Sequence, residues 1–116
     1  MQKIFEIVQE RIILPCYMNS YDSLFGGIAM QWMDEVAFIC AQKIARKKVV
    51  TVSVDKIEFL LPLKKGDIVK IVAKNIVLNG IRINIRVEIY DKDENIAISG
   101  DFVFVAVNEN NIPLKI

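Results

Sequence analysis

The predicted fold is organised around one stretch, Leu24-Phe25-Gly26-Gly27-Ile28-Ala29-Met30-Gln31-Trp32-Met33-Asp34. It joins a pair of glycines to the first turns of the one long helix, which the sequence predicts from about Phe25 or Gly27 to Arg46 or Lys47. The last turn of that helix is rich in lysine and arginine, cations that suit the negative end of the helix dipole.

Asp34 stands apart on the helical wheel. At about 100° per residue, the polar side chains share one arc, which comprises Gln31, Glu35, Gln42 and Arg46. Asp34 falls outside it, among the apolar neighbours Met30, Phe38, Ala41 and Ala45. An ionised carboxylate that faces a packed surface is costly unless it is paired or has a function. Asp34 is therefore a candidate functional residue, although pairing with a lysine at a subunit interface would explain it equally well.

The composition indicates one domain that associates with itself. A chain of 116 residues can build one hydrophobic core but not two, so residues 1–116 are expected to form a single domain. Hydrophobic residues make up 53% of the chain and the mean hydropathy is +0.36, which is high for so small a globular unit. We interpret the excess as apolar surface buried between subunits of a homo-oligomer.

The charge pattern argues against several classes of partner. The net charge is +1, with 15 basic and 14 acidic residues spread along the chain, so no basic surface for nucleic acid or membrane is indicated. Charged residues interrupt every apolar run before the ~20 residues that a spanning helix needs. Glu6 stands where a signal peptide would be apolar. The expected location is the cytoplasm.

The absence of histidine limits the chemistry. It excludes Ser-His-Asp and Cys-His mechanisms, histidine metal sites and histidine-based dehydratases. Cys16 and Cys40 lack the spacing of a metal site, and a disulfide between them is not expected in the cytoplasm. Cys40 shares a wheel arc with Met33 and Val36, which predicts a small core residue.

Beyond the helix the hydrophobic period changes to two, which is typical of strands. Strands are predicted over residues 3–14, 49–59, 68–78, 81–89 and 96–107, with turns at 61–67 and 91–95, a hairpin at Asn79-Gly80 and a tail over 108–116. One helix after the first strand, then four strands joined by hairpins, predicts an α+β fold in which an antiparallel sheet wraps around the helix. The residues expected to face outward from the strand over 81–89 are Arg82, Asn84, Arg86 and Glu88.

Gly26 and Gly27 stand where the helix begins. The simpler interpretation is a tight turn that needs a positive φ. The functional interpretation is that bare backbone lets a ligand approach the free N–H groups of the helix N-terminus, which can polarise a carbonyl oxygen as an oxyanion hole does. Asp34 lies two helical turns further on, where a carboxylate can activate water. Together the two features predict acyl hydrolysis without histidine.

These motifs resemble the hotdog-fold acyl-CoA thioesterases of the YciA type and the brain and bacterial acyl-CoA hydrolases. Leu14-Pro15 followed by Asn19 is similar to that family's Met-Pro-x-x-x-Asn loop. The similarity extends from about Arg11 to Val107, and its motifs are the stretch 24–34, Val49-Val50-Thr51-Val52-Ser53-Val54-Asp55, Phe59, Pro62, Gly66 and Asp67.

The resemblance implies a hotdog fold, a curved antiparallel sheet around one long central helix. It also implies a dimer whose sheets join edge to edge, with the active site at the dimer interface, and assembly into a trimer of dimers. In such a site Asp34 would be the general base or the nucleophile, and Gly27 with Gly26 would polarise the thioester carbonyl. Asn19 would lie near the thioester, and Thr51 would face the site from the partner subunit. The substrate would be acyl-CoA, and no metal or cofactor is implied.

Two positions depart from the family pattern. Asp22 stands where Asn-x-x-Gly-x-x-Phe-Gly-Gly has glycine, and Tyr17 stands where aspartate is common. Asp22 would narrow or recharge the mouth of the site, which leaves open a second function: a domain that binds acyl-CoA as a sensor or carrier without hydrolysing it. A hotdog dehydratase is disfavoured because the chain has no histidine. The expected activity is hydrolysis, in which water attacks the thioester carbonyl and releases a free acid and coenzyme A.

Overall fold

The computed structural model describes residues 6–115, so the predicted strand residues 3–5 lie outside the described part. Six strands and one long helix follow in chain order, with a short 3-10 helix over Pro15–Tyr17. Their bounds are β1 Ile7–Ile12, α1 Gly26–Ala45, β2 Val49–Phe59, β3 Ile68–Asn79, β4 Arg82–Tyr90, β5 Ile96–Val107 and β6 Pro113–Leu114. The predicted helix is thus confirmed to within about one residue at its start.

The five long strands form one antiparallel sheet in the order β1-β3-β4-β5-β2. α1 packs on the concave face of this sheet and contacts all five of these strands, so the edge strands β1 and β2 both lie beside the helix. The predicted architecture, an antiparallel sheet curved around one central helix, is confirmed. No helix within residues 6–115 is long and apolar enough to cross a membrane.

The expectation of four strands joined by hairpins is wrong for one connection. β2 pairs with β5 at one edge, whereas β3 pairs with β1 and β4, so residues 60–67 cross from one part of the sheet to another. Hydrophobic alternation identifies strands but carries no information about which strands pair. The loop of the predicted hairpin is Gly80-Ile81, with Gly80 at φ 63 in its first position, the glycine position of a type II′ turn. The predicted tail also contributes the short strand β6, which pairs with the end of β5.

The helix buries the face that its apolar spacing predicts. Its buried residues are Ala29, Trp32, Met33, Val36, Ala37, Cys40, Ala41 and Ala45. Cys40 is fully buried, as predicted, and burial raises the pKa of its thiol to about 11, so it remains a neutral core residue. Arg46 caps the C-terminus of the helix: it adopts φ 53 and donates its N–H to the carbonyl of Gln42.

One side chain on the outward face of β4 is buried. Glu88 is only 5% exposed, because Lys74, Arg86 and Tyr90 close over it. Lys74 Nζ lies 2.6 Å from Glu88 Oε1, and Tyr90 donates its hydroxyl to the same oxygen at 2.7 Å. Burial alone would raise the pKa of Glu88, but the hydrogen bonds from Lys74 and Tyr90 outweigh it, and the pKa lies below its ordinary value.

Candidate active site

Asp34 lies in the middle of α1 and is half-buried beside β2. Its Oδ1 accepts a hydrogen bond of 2.9 Å from the Thr51 hydroxyl. Both residues belong to the same chain, so the expectation that Thr51 reaches the site from a partner subunit is corrected. The polar partner that the helical wheel required for Asp34 is therefore a threonine on the neighbouring edge strand.

A bulge in β2 sets the direction of Thr51. The residue pairs Thr51–Phe104 and Ser53–Val103 enclose one extra residue, Val52, which is 47% exposed. Thr51 pairs with the buried Phe104 and so points to the helix side of the sheet. Bulges of this kind re-aim side chains and are enriched beside active sites.

The N-terminus of α1 lies about two turns before this carboxylate. Phe25 is the N-cap, and among the described residues no side chain caps the first turn of the helix. Gly26 and Gly27 are not at positive φ, so the tight-turn explanation for the pair is wrong. Apart from its neighbours in the helix, a Cβ on Gly27 would meet no atom of residues 6–115 within 4 Å. The bare backbone at Gly27 thus leaves room for a group that comes from outside the chain.

One cavity brings together three of the predicted site residues. Its volume is about 350 Å³, and its lining comprises Gly27, Met30, Gln31, Asp34, Thr51, Val54 and Phe102. Gly27 and Asp34 are about 10 Å apart along the helix axis, but helical side chains lean toward the N-terminus, which brings the carboxylate closer to the open N–H groups. The cavity can therefore hold a small polar group between hydrogen-bond donors and a carboxylate.

A second cavity, which we call the leucine cavity, contains the other two predicted residues. Its volume is about 380 Å³, and its lining comprises Asn19, Ser23, Leu24, Gly26, Phe59, Leu60, Leu61, Pro62, Leu63 and Ile98. Within one chain, then, the structure does not bring Asn19 into the cavity of Asp34. Asn19 Oδ1 accepts the backbone N–H groups of Tyr21 at 2.8 Å and Ser23 at 3.0 Å, so the side chain also shapes its own loop.

Asp22 occupies the turn of this loop at φ 60, in the left-handed region. Glycine adopts this conformation without steric cost, which explains why the family pattern has glycine at this position. Here the loop is held by its neighbours, since Lys64 Nζ donates to the Asp22 carbonyl and to Ser23 Oγ, both at 3.3 Å. Asp22 thus holds the left-handed conformation that the turn requires, at some steric cost.

The sequence did not single out four residues that line the cavity of Asp34: Met30, Gln31, Val54 and Phe102. Gln31 belongs to the polar arc of the helix, and it is exposed, with Nε2 3.5 Å from Glu35 Oε2. Its position three residues before Asp34, on the neighbouring turn, was the available signal. Across residues 6–115 no group of three or more histidine, cysteine or acidic side chains is placed to hold a metal ion.

Comparison with known proteins identifies the family. Residues 21–98 match the model of the thioesterase superfamily. The chain is 33% identical over 116 residues to the acyl-CoA thioester hydrolase YciA of Salmonella typhimurium, covering 93% of this chain and 87% of the relative. The hexameric thioesterase of Yersinia pestis superposes with a TM-score of 0.87 at 33% identity, covering 94% of this chain and 93% of that one.

An acyl-CoA hydrolase from Staphylococcus aureus, solved with butyryl coenzyme A and coenzyme A, superposes with a TM-score of 0.87 at 32% identity, covering 95% of this chain and 68% of that one. That enzyme has also been solved in three variants, in which an asparagine, an aspartate or a threonine is replaced by alanine. The aspartate follows the asparagine by 15 residues, and the threonine follows the aspartate by 17. Asn19, Asp34 and Thr51 have the same separations. These likenesses confirm the hotdog fold, and the chain belongs to the thioesterase superfamily.

Proposed function

We propose that this chain hydrolyses acyl-CoA thioesters in the cavity that contains Asp34. One observation carries the proposal: a carboxylate held by Thr51 shares a cavity with Gly27, at a helix N-terminus that no side chain of residues 6–115 caps. The names of the relatives support the substrate class, since they are acyl-CoA hydrolases and one was solved with butyryl coenzyme A.

The helix N-terminus activates the thioester carbonyl for attack. The N–H of Gly27 donates to the thioester carbonyl oxygen, and the positive end of the helix dipole stabilises the negative charge that develops on it. A side chain at position 27 would occupy the space that the carbonyl needs. This need for space explains why position 27 is glycine, since neither its φ nor its neighbours within residues 6–115 exclude a side chain there.

Asp34 acts as the general base or as the nucleophile. Its carboxylate takes a proton from water as the water oxygen attacks the carbonyl carbon, or it attacks that carbon itself and the resulting anhydride is then hydrolysed. The C–S bond breaks as the tetrahedral intermediate collapses, and coenzyme A leaves as the thiolate. The Thr51 hydroxyl holds Oδ1, which leaves Oδ2 to face the substrate.

A second copy of the chain completes the proposed site. Asn19 and Asp34 line different cavities of one chain, yet their separation matches that of the replaced residues in the S. aureus hydrolase. β2 is an edge strand beside Asp34, and Val52 on it is about half exposed. Such an edge can pair with its symmetry mate in a dimer, which brings Asn19 of one subunit toward Asp34 of the other. The hexameric relative supports a trimer of such dimers.

Thiol release from a panel of short to long acyl-CoAs tests the proposed function. The wild-type chain is expected to release free coenzyme A together with the free acid from at least part of the panel. Binding of acyl-CoA without release of thiol at any chain length would contradict hydrolysis and favour a carrier or sensor.

A further inference from the structure

Phe59, the last residue of β2, covers the start of α1. A Cβ on Gly26 would lie 3.2 Å from Cε1 and Cζ of the Phe59 ring, so the ring rests directly on the bare backbone of the first helical residue. The ring is nevertheless 54% exposed, and it forms one wall of the leucine cavity. A large aromatic side chain is thus held at the helix N-terminus with half of its surface open.

The second bulge of β2 gives Phe59 this orientation. One extra residue lies between the pairs Asp55–Asp101 and Glu58–Ser99, and Lys56 adopts φ 54 there. For a lysine this is a costly backbone conformation, which persists where the surrounding structure enforces it. Without the extra residue the alternation of the strand would turn Glu58 toward the helix and Phe59 away from it. With it, Phe59 pairs with the buried Ile98 and faces the helix.

Gly100 on β5 locks the bulge in place. A Cβ at Gly100 would overlap Cδ1 of Ile57, so the isoleucine occupies the space that this glycine leaves in the sheet. Ile57 packs against the hydrophobic core, and Phe59 follows two residues later on the same face of the strand. The position of the Phe59 ring is therefore set by the bulge and by the partly buried Ile57, whose side chain fills the space at Gly100.

The chemistry of the leucine cavity suits an apolar chain. Apart from Asn19 and Ser23, the side chains that line it are hydrocarbon. Gly26 lines this cavity and Gly27 lines the cavity of Asp34, so the two cavities adjoin the same helix N-terminus. An acyl group whose carbonyl is bound at that N-terminus would therefore have an apolar cavity beside it.

We propose that the leucine cavity takes the acyl chain of the substrate and that the ring of Phe59 sets the length of chain it admits. The inference rests on the proposed function, because it assumes that the carbonyl is bound at the start of α1. It assigns Phe59 as a specificity-determining residue, whose effect depends on chain length and not on the chemistry at the carbonyl.

The test compares Phe59→Ala with the wild-type chain on straight-chain acyl-CoAs from acetyl to palmitoyl. Removing the ring deepens the cavity, so the optimum of kcat/KM is expected to move to longer chains. Because each buried methylene contributes about a fourfold gain in affinity, the ratio of kcat/KM for lauroyl-CoA to that for butyryl-CoA is expected to rise at least about tenfold. Phe59→Leu, which keeps an apolar side chain of intermediate size, is expected to give an intermediate ratio and covers the case in which the alanine variant does not fold.

Ile68→Ala is the matched control, since Ile68 is also an exposed apolar residue, 56% exposed, but lies in β3 and not in either cavity. Its chain-length profile is expected to equal that of the wild-type chain. A uniform change at all chain lengths in both Phe59 variants, or no change, would overturn the role of Phe59.

Binding of non-hydrolysable S-alkyl-CoA thioethers, measured by calorimetry on the same variants, separates this inference from the proposed function. A shift of the preferred alkyl length in Phe59→Ala, with no thiol release by the wild-type chain, would support the chain-binding cavity and contradict hydrolysis. Equal length preference in the two proteins would overturn the inference even if the wild-type chain is an active hydrolase.

Discussion

Thr51 and Asp34 are joined by a hydrogen bond of 2.9 Å between the edge strand β2 and the central helix. The bond fixes one carboxylate oxygen of a residue that lines the same cavity as Gly27. Hydrogen bonds to charged groups contribute about 1.5–3 kcal/mol, so Thr51→Val is expected to lower kcat by about 10- to 100-fold.

Thr51→Ser is the control for this prediction, because it keeps the hydroxyl and removes only a methyl group. It is expected to retain most of the wild-type kcat on butyryl-CoA. Equal losses in the valine and serine variants would show that packing at position 51, and not its hydroxyl, supports the reaction.

The separation of Asn19 and Asp34 into two cavities of one chain predicts complementation between inactive variants. Asn19→Ala and Asp34→Asn are each expected to be weakly active as homo-oligomers. Refolded together, they form mixed dimers with one intact site, and the mixture is expected to recover about a quarter of the wild-type rate, because half of randomly paired dimers carry that site. No recovery, with mixed dimers verified by mass spectrometry, would contradict a site shared between subunits.

The left-handed backbone at Asp22 predicts opposite effects of two small substitutions. Asp22→Gly relieves the steric cost, whereas Asp22→Ala keeps it, because alanine adopts the left-handed region less readily than aspartate. The glycine variant is expected to be more stable than the alanine variant by about 1 kcal/mol in urea unfolding. Equal stability of the two variants would show that the loop relaxes to a different φ when the side chain is removed.

The buried Glu88 predicts an acid-sensitive contribution to stability. Its pKa is lower in the folded chain than in the unfolded chain, because Lys74 and Tyr90 hydrogen-bond to the carboxylate and outweigh the effect of burial. The contribution is therefore present above the unfolded pKa of about 4.3 and is lost as the pH falls through the folded pKa. Glu88→Gln is expected to lower the free energy of unfolding by about 3 kcal/mol at pH 7.

The difference in stability between Glu88→Gln and the wild-type chain is expected to shrink as the pH is lowered below about 4. Glu94→Gln is the control, since Glu94 is an exposed carboxylate that pairs with Lys70 at 2.8 Å, and exposed pairs contribute little. A difference for Glu88→Gln that is constant with pH would assign its effect to packing instead of charge.

The sequence predicted those parts of the fold and site that depend on local pattern. The wheel position of Asp34 revealed a carboxylate that needs a partner, and the strand over 49–59 was predicted with its observed bounds. The two bulges within that strand were not predicted, although they determine the directions of the Thr51 and Phe59 side chains. A one-residue shift in pairing still leaves a hydrophobic pattern that is typical of a strand, so the pattern does not reveal the bulge. The burial of Glu88 was not predicted either, since it depends on side chains of β3 and β4 that come together only when the two strands pair.

Asp34→Asn tests the central claim most directly. The variant keeps the size and hydrogen-bonding shape of the side chain but cannot accept a proton from water, so kcat for acyl-CoA hydrolysis is expected to fall by about 10²- to 10⁴-fold with unchanged thermal unfolding. Glu35→Gln, the neighbouring and exposed carboxylate on the same helix, is the matched control and is expected to retain wild-type kcat. Wild-type turnover by Asp34→Asn, or an equal loss in both variants, would contradict the assignment of Asp34 as the residue that drives hydrolysis.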